Sequence, residues 1–160
     1  MEIEEMSNIH FESVKDLLAD LQKYIIEIDK FNLNIMSKDY RKKYFEFMLD
    51  DCKNNEGKIF VAMDDGEVVG FIAGHIQAYD ERDSLDYTCP KKGIVSELIV
   101  KKGIRKIGVG SMLLKTMEDY FKSINCEFVQ IDVFAYNETA KKFYYKNGYT
   151  DRMITVFKKI

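Results

Sequence analysis

The chain has 160 residues, of which 46% are hydrophobic and 32% charged, and its net charge is −3. That size suits one domain spanning residues 1–160, with a composition ordinary for a soluble globular protein rather than a disordered or fibrous one. No apolar run approaches the ~20 residues of a membrane helix, and the acidic start M-E-I-E-E-M lacks the basic-then-apolar order of a signal peptide. Three scattered cysteines argue against a disulfide framework or a zinc site. The expectation is a cytoplasmic protein without metal or membrane contact, and the negative charge argues against general nucleic-acid affinity.

Residues 2–5 read as a short opening strand. From Asn8 a helix follows, with Val14, Leu17, Leu18, Leu21, Tyr24, Ile25 and Ile28 on one face at i, i+3, i+4, i+7 spacing. Ser37 is placed to cap a second helix carrying Tyr40, Tyr44, Phe47, Met48 and Cys52, which the polar run Lys53 to Gly57 ends. The tyrosines and methionines of these two helices read as core. Lys58 to Met63 is a strand, Asp64-Asp65-Gly66-Glu67 has hairpin-turn chemistry, and Val68 to Ala78 returns as a second strand. A long loop from Tyr79 to Gly93 contains the sole proline, Pro90, and loops of that length are more often functional than structural.

Apolar Val95 to Val100 then forms a strand, followed by a basic loop and a helix from Gly108 to Ser123 with Leu113, Met117, Tyr120 and Ile124 at helical spacing. Phe128 to Phe134 alternates as a half-buried strand. Asn137 caps a short helix bearing Ala140, Phe143 and Tyr144, and Gly148 fits its C′ position. Tyr149 to Ile160 reads as a last strand. The order β-α-α-β-β-β-α-β-α-β indicates an α/β (α+β) fold with a mixed, largely antiparallel central sheet and helices on both faces.

Charge is unevenly spread. Lys91 to Lys106 holds six basic residues against one acid, Glu97, whereas Tyr79 to Pro90 holds four acids against Arg82. The basic loop ends in glycines at a helix start, where backbone N–H groups and the helix dipole make a site for phosphate. Gly103 and Gly108 match the opening of a P-loop, but Val109-Gly110 stands where Lys-Ser/Thr is needed. Gly108-Val109-Gly110 opens a dinucleotide fingerprint, but Leu113 replaces its third glycine and about seven residues separate it from the strand. Both nucleotide readings fail.

Arg105, Gly108 and Gly110 instead match R-x-x-G-x-G, the acetyl-CoA signature of the GNAT N-acetyltransferase superfamily, which this sequence resembles. V-S-E-L-I-V at Val95 to Val100 looks like that family's central strand, and V-V-G-F-I-A-G at Val68 to Gly74 like the strand before it. The segment Asn137-x-x-Ala140-x-x-Phe143-Tyr144-x-Lys146-x-Gly148-Tyr149 is similar to its second cofactor segment. The resemblance implies acetyl-CoA as cosubstrate, held by Arg105, Lys106, Ile107, Gly108, Val109, Gly110 and Ser111 at the pyrophosphate and by Asn137, Ala140, Phe143 and Tyr144 nearby. It further implies that the central strand splays from its neighbour after Val133, freeing backbone groups at Leu98, Ile99 and Val100 for the pantetheine amides and, at Leu98 or Ile99, for the oxyanion. The family's dimers leave a homodimer open.

Tyr144 matches the family's general acid, which protonates a departing thiolate whose thiol has a pKa of about 8.5. Glu97 is a candidate base for the attacking amine. Some family members carry that glutamate one residue earlier, where this chain has Ser96, and alternation sets Glu97 on the face opposite Leu98 and Val100 unless a bulge intervenes. His10 and His75 have no spacing partners and read as structural. The resemblance places Asp29, Phe31, Asp39 and Tyr40, with Tyr79, Asp80, Asp83 and Asp86, near the acceptor. The acidic loop favours a small cationic amine, with a protein or peptide amine, or a non-catalytic acyl-CoA-binding module, as alternatives.

Overall fold

The computed structural model describes residues 1–160. Its elements follow the sequence order closely: β1 (Glu2–Glu5), α1 (Phe11–Ile28), α2 (Tyr40–Asn54), β2 (Lys58–Asp64), β3 (Glu67–Ile76), β4 (Lys92–Val100), α3 (Val109–Ser123), β5 (Phe128–Ile131) and α4 (Glu138–Lys146). A single 3₁₀ turn, Asn8–His10, leads into α1. Helix α2 starts later than Ser37 suggests: Asp39 occupies the N-cap, and the Ser37 carbonyl instead accepts the Tyr40 N–H in a turn. The β2–β3 hairpin has left-handed backbone at both Asp65 (φ 46°) and Gly66 (φ 80°), the turn geometry whose twist matches antiparallel strands.

The strands lie in the order β1-β2-β3-β4-β5. Neighbours are antiparallel except β4 and β5, which run parallel from Lys92↔Phe128 to Val95↔Ile131 and pair no further. Each face of the sheet carries its own core. On one, Val14, Leu17 and Leu18 of α1 and Phe45 and Met48 of α2 pack on Val61, Phe71 and Ile99. On the other, Leu113, Leu114, Met117 and Phe121 of α3 pack on Val69, Ile72 and Val95. A side chain at Gly93 would occupy the Phe121 ring, so the start of β4 reaches α3 only through glycine. No helix is long and apolar enough to cross a membrane.

Two expectations fail at the C-terminal end. Strand β5 stops at Ile131 instead of Phe134, because β4 has already turned away and the Phe134 carbonyl accepts the Asn137 N–H in a turn. The segment from Tyr149 to Ile160 forms no strand. A four-residue β5 offers little ladder to close on, and the tail is held by side chains: Arg152 lies 5.3 Å from the Tyr87 ring centre and Phe157 5.6 Å from that of Phe31. The tail remains exposed, Met153, Ile154 and Val156 included.

Candidate active site

The segment between β4 and α3 is built by backbone requirements. The Lys101 N–H bonds the Val69 carbonyl at 2.9 Å, Lys102–Ile104 form one 3₁₀ turn, and Arg105 Nε donates to the Val100 carbonyl at 2.9 Å. The chain then passes through positive φ at Lys106 (71°) and at Gly108 (99°), the N-cap of α3. Glycine adopts that conformation without the strain a side chain would bring. The Met112 N–H reaches back to the Gly108 carbonyl at 3.0 Å, so the N–H groups of Val109, Gly110 and Ser111 lie in the first turn without intrahelical acceptors. The positive end of the α3 dipole stands behind them. Val109 sends its side chain into the core, while Lys106 and Ile107 are exposed. Gly110 allows close approach: a Cβ there would stand 3.4 Å from Phe143 Cζ and 3.8 Å from Val100 Cγ2.

The separation of β4 from β5 exposes the other half of the site. Because Lys101 bonds β3, antiparallel alternation turns the N–H and C=O of Ile99 to β3 as well. Those of Leu98 and Val100 face the gap. Of the three residues expected to offer backbone groups, Ile99 does not, and its side chain is buried under α1 and α2. The Val100 carbonyl is already occupied by Arg105, which leaves the Leu98 pair and the Val100 N–H. Separation begins after Val95 and Ile131, earlier than the expected Val133.

Across the gap, Asn137 caps α4, its Oδ1 accepting the Ala140 N–H at 3.1 Å and the Tyr24 hydroxyl of α1 at 3.2 Å. Two donors on Oδ1 fix the amide orientation and leave its NH₂ to donate elsewhere. Tyr144, one helical turn beyond Ala140, is wedged between Phe143 (ring centres 5.1 Å apart) and Tyr149 (5.8 Å). Burial, followed by the charge of Glu97, pushes its phenol up to about 12. It therefore carries its proton throughout the neutral range. Tyr145 faces the other way and donates to Asp151 at 2.8 Å.

Glu97 sits on the α1/α2 face of β4, as alternation predicts for a neighbour of Leu98. A bulge at Ser96 breaks the register between Ala73 and Gly74, so Val95 packs on the α3 face although it lies two residues before Glu97. The carboxyl is buried, and Tyr44 of α2 donates to its Oε1 at 2.5 Å. Burial pushes Glu97 up to about 7, against the pull of the Tyr44 hydrogen bond. A carboxyl that titrates near neutrality and a phenol that does not are an acid–base pair set apart by their surroundings. Sequence patterning read Tyr44 as core. Tyr44 is instead 37% exposed, and the available signal is the i, i+4 pair Tyr40–Tyr44, seen stacked at 4.8 Å, since a phenol whose ring packs on the protein needs a polar partner for its hydroxyl.

The sequence profile of the family described as Acetyltransferase (GNAT) matches residues 23–149. The chain belongs to the GNAT acetyltransferase family. Acetyl-CoA is that family's cosubstrate. Among curated relatives the chain is similar to an uncharacterized N-acetyltransferase of Methanocaldococcus jannaschii, 40% identical over 96 residues, 59% of this chain and 54% of that protein. The match thus spans about half of that relative's length. It is also similar to an N-alpha-acetyltransferase of Sulfurisphaera tokodaii, 32% identical over 127 residues, 78% of this chain and 74% of that protein. A crystal structure of a Bacillus halodurans protein shares the fold at TM-score 0.86, with 16% identity, covering 100% of this chain and 99% of that one.

Of the acids in the segment after α1, at the start of α2 and in the Tyr79–Gly93 loop of this GNAT domain, most are committed to their own segments. Asp29 accepts the N–H groups of Phe31, Leu33 and Asn34 as well as the Asn34 amide, and these bonds, the Asn34 amide first, hold its carboxyl down to about 2. Asp80 and Asp83 each accept the other's backbone N–H. Asp39 lies 3.5 Å from Lys43 on the surface, and the Tyr79 hydroxyl donates to the Pro90 carbonyl. Glu97 is the buried carboxylate facing α2 that no loop consumes.

Proposed function

We propose that this chain transfers the acetyl group of acetyl-CoA to a primary amine by direct attack, with Glu97 taking the amine's proton and Tyr144 protonating the leaving sulfur. The observation that carries the reading is the pairing of a buried carboxyl near pH 7 with a protonated phenol beside the separated β4 and β5 strands. The residues fit the cosubstrate. Nothing lies within 4 Å of where a Gly108 Cβ would stand, so phosphate oxygens have access to the N–H groups of Gly108, Val109, Gly110 and Ser111, with Arg105 and Lys106 adding positive charge. Leu98, the Val100 N–H and the Asn137 amide supply bonds for the pantetheine arm. The Leu98 N–H supports the oxyanion in preference to that of Ile99, which β3 occupies.

The cysteines support direct transfer. Burial pushes the Cys52 thiol up to about 11 and raises Cys89 and Cys126 as well. None is the activated thiolate that an acyl-cysteine route requires.

For the acceptor, an α-amine at a polypeptide N-terminus is the better reading than a polyamine or aminoglycoside. A polycation is gripped by carboxylate oxygens that point at it, whereas Asp29, Asp80 and Asp83, though still charged, direct oxygens to N–H groups of their own loops. The Sulfurisphaera tokodaii relative, by its name, acts on α-amines. Thiol release from acetyl-CoA across short peptides with free N-termini, their N-blocked forms, polyamines and aminoglycosides decides it. The expected result is turnover that needs a free peptide α-amine. Turnover on the polyamines alone would restore the small-cation reading, and tight coenzyme A binding without turnover on any amine would remove the enzymatic one.

A further inference from the structure

The base assigned above does not stand alone. Its Oε1 accepts the Tyr44 hydroxyl at 2.5 Å, and Tyr44 is backed by the Tyr40 ring at 4.8 Å with the planes 22° apart. Oε2 has no hydrogen-bond partner and is not among the buried unpartnered atoms, which are confined to His10 and His75. One oxygen of the carboxylate is therefore clamped and the other is open. We propose that Tyr44, seated on Tyr40, is the positioning residue for Glu97: it fixes the carboxylate so that Oε2 alone is presented to the acceptor amine. The proposal rests on the assignment of Glu97 as base.

The chemistry is simple. A carboxylate free to rotate presents either oxygen in any direction, and a misplacement of about 1 Å at a reacting group can cost ~10²-fold in rate. Stacking locks the Tyr44 ring, and its hydroxyl locks the carboxylate. Burial and the Glu97 charge hold the Tyr44 phenol protonated far above its ordinary range, so it stays a donor at every working pH. The titratable groups facing Glu97 are Tyr40 and Tyr44 from α2, with Asp51 acting on Tyr44, and Tyr144 from α4. His75 lies on the same face of β3, two residues beyond Ala73, the partner of Glu97 across the strands. No basic side chain pulls on Glu97; burial and Tyr44 are its two influences.

The test is Tyr44→Phe, which keeps the ring and removes the donor. The acid limb of kcat/KM, measured with one acceptor throughout, should move to higher pH by roughly one unit, since a hydrogen bond to the charged form has been lost. kcat at its plateau should fall about 10-fold, and the acetyl-CoA dissociation constant should not change. Carbon-detected NMR titration of the Glu97 carboxyl in the free protein gives the same shift without an assay and reports whether the variant is folded. Glu97→Gln separates the two levels of the argument. If it keeps the wild-type acid limb, Glu97 is not the base and the proposal falls with that reading. If it loses the limb while Tyr44→Phe leaves both limb and NMR titration unmoved, Tyr44 is only structural and the proposal alone is overturned.

Discussion

Glu97→Gln should make the protein more stable and nearly inactive, and the stability gain should depend on pH. In the folded chain burial raises the Glu97 carboxyl from 4.5 to about 7. The folded state therefore holds a proton that the unfolded chain releases between those values. Stability falls as pH rises through that window, and the full cost of burying the charge is present above pH 7. At ~1.36 kcal/mol per pKa unit, the cost is roughly 3 kcal/mol. Glutamine is neutral at all pH values and still accepts the Tyr44 hydroxyl, though its extra NH₂ offsets part of the gain, about 1 kcal/mol. The net expectation at pH 8 is about 1–3 kcal/mol, or roughly 3–10 °C in Tm for a chain of this length. At pH 4, where both states carry the proton, only the cost of the amide remains, and the variant should be about 1 kcal/mol less stable than the parent. Differential scanning calorimetry at the two pH values measures the difference. Equal Tm shifts at pH 4 and pH 8, or no shift at pH 8, would mean that Glu97 carries no buried charge in the folded protein, and the base assignment would lose its physical ground.

Other expectations follow from the same geometry. Tyr144→Phe should lower kcat by about 10²-fold with acetyl-CoA affinity unchanged, since it removes a proton donor and no binding contact; steady-state kinetics with equilibrium titration would separate the two, and an unchanged kcat would take Tyr144 out of the mechanism. Gly108→Asp should abolish acetyl-CoA binding in calorimetric titration, because it sets a carboxylate against the phosphates. Gly108→Asn, which tolerates positive φ without the charge, should retain most affinity. Equal losses in both would assign the effect to the added side chain or to backbone strain, and not to charge.

Local patterning made much of this legible. Helical and strand periodicity located the first eight elements and α4, and the Arg105, Gly108, Gly110 spacing pointed to a helix start with special backbone, which the fold supplies as a left-handed Gly108 at the N-cap of α3. Tyr144 was legible because the Asn137-to-Tyr149 segment fixes its register on α4. Other features lie beyond local signals. Alternation cannot register the Ser96 bulge, which turns Val95 and Glu97 to opposite faces. Tyr44 and Glu97 are 53 residues apart in sequence, and only the docking of α2 on the sheet brings them together. Asp29 and the Asp80–Asp83 pair read as unengaged acids in the sequence because the turns that orient their carboxylates are formed by backbone N–H groups, which have no residue signature. The alternating tail reads as a strand, but a strand needs an edge, and β5 is too short to provide one.

The central claim is direct transfer from acetyl-CoA to an amine, and mass spectrometry of the enzyme mixed with acetyl-CoA, first without and then with an N-terminal peptide, tests it most directly. Without the peptide the protein should remain unmodified at Cys52, Cys89 and Cys126; with it, one acetyl group should appear on the peptide α-amine for each coenzyme A thiol released. An acetylated cysteine formed in the absence of any amine, and competent to pass its acetyl group on, would contradict the account.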